Sequence, residues 1–115
     1  MKKRKAIHGI KVEESTGNVY ADIGARDPEA MLMKAQLVTK IDELIKRKGL
    51  TQMEAGELLG LPQPKVSALL RGNFRGISER RLMDCLTRLG SDVQVVVKPA
   101  PRNRHTGRLS VVFSG

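Results

Sequence analysis

Tryptophan is absent, and the chain has only three aromatic side chains: Tyr20, Phe74 and Phe113. The core must therefore be built from Leu, Val, Ile and Met. Cysteine is almost as scarce. Cys85 stands alone, which rules out a disulfide framework or a cysteine zinc site within one chain. It falls on the apolar side of a helical pattern and reads as a buried small hydrophobe, not a nucleophile. The two histidines, His8 and His105, lie near the two ends with no acid or cysteine at ligand spacing, so no metal is expected. No glycine-rich phosphate loop follows a strand. Neither an enzyme nor a cofactor is expected. A run of eighteen apolar residues is lacking, and the opening MKKRKAIHG continues into charged sequence instead of an apolar signal core. The expectation is a cytoplasmic protein without a membrane partner.

What is present is positive charge. The 115 residues suit one domain with a modest core, and their formal net charge is +9. Lys2, Lys3, Arg4, Lys5 and Lys11 sit before residue 12, and Lys98, Arg102, Arg104 and Arg108 lie from residue 98 on. Between them basic and acidic residues balance at twelve each. Basic arms on a neutral body suit a polyanion, because each phosphate neutralised releases condensed counterions. Charged ends that are merely solvated would look the same in sequence.

Three regions follow. Residues 1–26 read as an extended basic arm. A hairpin about Thr16-Gly17-Asn18 is weakly supported, and Tyr20 would pin the arm by packing. Residues 27–90 read as helical. Asp27-Pro28-Glu29 has the composition of a helix start, and Met33, Leu37, Ile41, Leu44 and Ile45 make an apolar stripe. Lys46, Arg47 and Lys48 suit the last turn before Gly49. Ser78 predicts another N-cap, with Ile77 and Leu82 at the spacing of a hydrophobic staple; Leu82, Leu86 and Leu89 with Met83 and Cys85 would be buried. Arg80 and Arg81 in that first turn oppose the helix dipole, which suggests a partner, although ordinary exposed arginines explain them equally well. Residues 91–115 change mode. Both 92–98 and 108–113 have the β-branched composition and period of two of strands. Two strands alone are marginal and leave open edges, so this extension predicts dimerisation by strand addition.

Residues 51–72, TQMEAGELLGLPQPKVSALLRG, break into two short helices. Ala55, Leu58 and Leu59 give the first an apolar face, and Gly60 permits a sharp corner. Pro62 and Pro64 suit the first turn of the second helix. Val66, Leu69 and Leu70 face inward there, leaving Gln63, Lys65, Ser67, Ala68 and Arg71 outward.

Gln52, Gly56, Gly60, Val66 and Leu69 occupy the positions at which this stretch resembles the helix-turn-helix of the Cro/repressor (XRE) class. In that class the small residue four after the opening Gln is usually Ala; Gly56 allows the same close approach at up to about 1 kcal/mol of helix propensity. The resemblance implies a mainly α fold, a four- to five-helix Cro/repressor-like domain with a C-terminal β-strand or hairpin extension. It also implies that the second helix enters the major groove of double-stranded DNA. Gln63 would then bond adenine, Lys65 guanine and Ser67 either, with Pro64 and Ala68 against thymine methyls. Gln52, Arg71, Asn73 and Arg75 would hold phosphates. The implied function is a sequence-specific transcriptional regulator, a repressor, acting as a homodimer via the C-terminal strand and nucleoid-associated when bound to DNA. Gly17-Asn18-Val19, Asp27-Pro28-Glu29, QPKVSALLRG and DVQVVVKP further resemble the small HigA-like antitoxins. That alternative adds a partner, a small ribonuclease toxin, and autoregulation of the shared operon. A helical adaptor that binds no duplex at moderate salt is the third possibility.

Overall fold

Helix α1 (Pro28–Arg47) is the spine of the protein, twenty residues long. The computed structural model describes residues 27–114; the arm, its hairpin, Tyr20 and His8 lie outside the described residues. Asp27 occupies the N-cap position of α1 but differs from expectation. Its backbone is left-handed, with φ 52°, and its side chain caps nothing, so Pro28 and Glu29 carry the start signal alone. The predicted stripe holds: Leu37, Ile41, Leu44 and Ile45 are buried with Ala35 and Val38 between them, and Met33 packs half-buried at the edge. Past the helix end Leu50 N–H reaches back to Ile45 O at 3.1 Å and Gly49 N–H to Lys46 O at 3.0 Å, the paired closure of a glycine-ended helix.

Three shorter helices complete the order: α2 (Gln52–Leu59), α3 (Gln63–Leu70) and α4 (Glu79–Arg88). The mainly α, four-helix expectation is met among the described residues. Thr51 caps α2 in a reciprocal box. Its hydroxyl accepts from Glu54 N–H at 3.0 Å, and the Glu54 carboxylate accepts from Thr51 N–H at 2.8 Å. Ser78 caps α4 by accepting from Arg81 N–H, and Ile77 and Leu82 are both buried, as the staple spacing predicts. Helix α4 lies against α1, and α2 packs on α3. Phe74 closes the loop between α3 and α4 and is the one buried aromatic among the described residues. Cys85 is fully buried, and that burial raises its thiol pKa against the opposing pull of nearby Arg81. It is a small core hydrophobe, as its place on the helix predicts.

The C-terminal residues depart from the sequence expectation. No strand forms over 92–98 or 108–113, and the two segments do not pair as a hairpin. The reason is where each segment finds contacts. Residues 109–113 lie along α1: Leu109 N–H donates to Glu29 Oε2 at 3.4 Å, Val111 packs on the core, and Lys40 Nζ sits 5.6 Å from the Phe113 ring centroid. Residues 94–97 reach no such surface. Val95, Val96 and Val97 are 79%, 75% and 90% exposed. Among the described residues nothing offers this segment a ladder to join.

Candidate nucleic-acid interface

The corner between α2 and α3 is set by two glycines with different duties. Gly60 ends α2 at φ 73°, in the left-handed region that favours glycine. Gly56 gives room. Leu61 N–H donates back to Gly56 O at 2.9 Å, and a Cβ at Gly56 would lie 2.5 Å from the Leu61 carbonyl oxygen. Ala55 and Leu59 bury the inner side of α2, but Leu58, expected on that face, is 40% exposed. At the short corner only two of the three apolar positions can reach the core.

Two arginines of α4 hold this corner. Arg81 donates to Gly60 O at 3.0 Å and Leu59 O at 3.4 Å, and Arg88 donates to Leu58 O at 3.4 Å while paired with Asp84 at 3.0 Å. These are carbonyls at the carboxyl end of α2, where cations complement the helix dipole. The oddly placed Arg81 thus has its partner inside the chain. Arg80 is exposed.

Helix α3 turns a polar row outward. Gln63, Pro64, Lys65 and Arg71 are exposed, Ser67 and Ala68 are half-buried, and Val66 and Leu69 are buried against the core. Leu70, expected inward, is half-buried. From α2, Gln52 joins this row by accepting at Oε1 from Gln63 Nε2 at 2.9 Å. Arg71 donates to Ser67 Oγ at 2.6 Å. Asn73 and Arg75 are exposed just past the helix, where Asn73 N–H closes on Ala68 O at 2.9 Å and Lys34 donates to Arg75 O at 3.2 Å. All nine residues singled out from sequence therefore lie on or directly after the two helices of the corner. From Leu61 to Ser78 this surface carries Lys65, Arg71 and Arg75 and no acidic residue.

Sequence reasoning missed the contacts that organise these residues. Thr51 and Glu54 stand three apart, and Ser67 and Arg71 four apart, so both pairs are legible as local spacings. Gln52 and Gln63 are eleven apart and meet only because the corner folds, as do Arg81 and Arg88 with α2. Elsewhere, among the described residues, no group of His, Cys, Asp and Glu is placed to hold a metal ion, and no helix is long and apolar enough to cross a membrane.

Comparison with known proteins agrees with this geometry. The helix-turn-helix domain family matches residues 19–98. A solved structure described as an XRE family transcriptional regulator is 39% identical, superposes with a TM-score of 0.72, and covers 77% of this chain and 100% of its own. A search of curated proteins gave no match. The chain belongs to the XRE family of helix-turn-helix, DNA-binding transcriptional regulators.

Proposed function

We propose that the protein is a repressor that binds a two-fold symmetric operator as a homodimer, with α3 lying in the major groove. The observation that carries this reading is the Gln52–Gln63 pair. Gln63 Nε2 gives one hydrogen to Gln52 Oε1, which restrains the amide and leaves its second N–H and its own Oε1 for a further partner. An amide held this way matches adenine, whose N7 accepts and whose N6 donates. Lys65 would reach a guanine, and Pro64 and Ala68 offer apolar contact to thymine methyls. Asn73 and Arg75, beyond the helix, suit phosphates that set register.

Dimerisation is assigned to the segment 92–98, which would become a strand on pairing. A β-branched run with three highly exposed valines and no ladder partner among the described residues fits pairing with its symmetry mate. Burying each valine there is worth up to about 1.5–3 kcal/mol. Leu82, Leu86 and Leu89 of the α4 region cannot supply an alternative interface, because all three are buried in the core. In vitro selection from random duplex tests the whole reading. The expected site is a palindrome with half-site centres about 34 Å apart or a multiple of that spacing. Selection of an asymmetric single half-site would reject the dimer.

A second reading has its own observation. A groove of about 280 Å³ lies between α1 and the C-terminal segment, lined by Glu29, Leu32, Met33, Gln36 and residues 109–112. An antitoxin would dock a small ribonuclease toxin on such a surface of its first helix and still repress through α3. Co-purification with the product of the adjacent gene, lost on Leu32→Asp with Met33→Asp, would favour it.

A further inference from the structure

Arg71 stands where a phosphate anchor is expected, yet its position as the C-cap of α3 and its one side-chain partner give it a different task. At helical spacing Pro64, Ala68 and Arg71 follow one another at i, i+4 and i+7. This stripe lies opposite buried Val66 and Leu69, with Pro64 and Arg71 exposed and Ala68 half-buried between them. Pro64 and Ala68 are short. Arg71 is the only side chain of the stripe with reach, and nothing long beside it on the stripe blocks its path back along the helix. Side chains on a helix lean toward its N-terminus. Arg71 follows that lean, and NH1 donates to Ser67 Oγ, one turn earlier, at 2.6 Å.

That hydrogen bond holds the guanidinium back along α3, toward the N-terminal half that faces base edges when such a helix enters a major groove. It uses one of the five N–H donors and leaves the edge formed by Nε and NH2 open. Two parallel donors on a rigid plane match the O6 and N7 acceptors of guanine. The orienting partner is a neutral hydroxyl, and α3 contains no acidic residue, so no carboxylate within the helix neutralises the charge. Resting on the DNA-reading function proposed above, we propose that Arg71 reads a guanine at one position of each half-site, and that Ser67 is the positioning residue that aims it. Asn73 and Arg75 remain the phosphate contacts of this end.

In vitro selection with the full chain, followed by binding measurements on the selected duplex, tests the assignment. Arg71→Ala is expected to lose the preference for guanine at one symmetric position only, with binding to the selected duplex weakened about tenfold or more. Ser67→Ala should erode that same position to a lesser degree, and Ser67→Thr should keep it. Replacing that guanine with 7-deazaguanine should weaken the wild type and leave Arg71→Ala unaffected. If Arg71→Ala weakens all duplexes alike and flattens the dependence on salt, the residue is a phosphate anchor and the assignment is overturned. A Ser67→Ala profile that changes at a different position gives Ser67 a base of its own and overturns the positioning role. A wild-type chain that selects no site overturns the DNA-reading function itself, and this assignment with it.

Discussion

The helix-turn-helix unit and the C-terminal segment are both rich in apolar residues, yet they solve their contacts in opposite ways. Around the corner of α2 and α3 the chain satisfies itself. Thr51 and Glu54 cap one end of α2, Arg81 and Arg88 cover carbonyls at the other, and Leu59 and Val66 are fully buried. In the C-terminal segment Val95, Val96 and Val97 face solvent. Where internal contacts are complete, the exposed side chains are the ones that the proposed function assigns to DNA. Gln63, Lys65 and Arg71 are such side chains. Where contacts among the described residues are incomplete, as at the exposed valines, the proposed dimer would supply the missing partner.

Substitutions in the two regions should differ in effect, and the largest is expected in the C-terminal segment. Val95→Lys with Val97→Lys should yield a monomer with unchanged helical circular dichroism. Losing the second recognition helix removes an avidity gain of about 10²–10⁴-fold, so operator affinity should fall by at least about a hundredfold. Sedimentation velocity at tens of micromolar reads the assembly directly, and a double variant that stays dimeric would move the interface elsewhere. Next come two glycine-to-alanine changes that are conservative on paper. Gly56→Ala gains up to about 1 kcal/mol of helix propensity, but the 2.5 Å approach of its Cβ to the Leu61 carbonyl should outweigh that, with a net loss of about 1–2 kcal/mol in chemical denaturation. Gly107→Ala, with nothing within 4 Å of its Cβ, should change stability by less than about 0.5 kcal/mol.

Smaller effects are expected from single polar contacts. Arg81→Gln removes donors from Leu59 O and Gly60 O and should cost about 1 kcal/mol, with a lowered Tm and unchanged dimerisation. Phe113→Ala removes the ring beside Lys40. The ring is 44% exposed, so the loss should be about 0.5 kcal/mol and detectable only in a careful denaturation series.

Much of the helical unit was legible because its signals are local. The stripe of α1, the Ser78 cap with its staple, the Gly60 corner and the outward row of α3 all follow from spacings of three and four. The misses have physical causes. Asp27 has the composition of a cap but lies in a left-handed conformation that takes its carboxylate off the orphan N–H groups. Leu58 lies on the apolar arc of α2, but a two-turn helix at a tight corner cannot turn all of that arc onto the core. The strand signal at 92–98 is a statement about pairing, and pairing needs an edge that the described residues do not present there. The signal at 108–113 was overridden by packing along α1. Arg81 looked like a residue awaiting a partner because its carbonyl partners lie more than twenty positions away.

Under the proposed function the outward row of α3 reads base edges, while the core behind it only holds that row in place. Selection from random duplex with the wild type and with Gln63→Ala plus Lys65→Ala tests it most directly. Both residues are exposed, so the variant should keep the wild-type denaturation midpoint. It should lose about 1–3 kcal/mol per side chain on the selected operator, and its selected profile should be relaxed at the base pairs those two residues face. An unchanged profile with unchanged affinity would contradict the account and place the reading surface off α3.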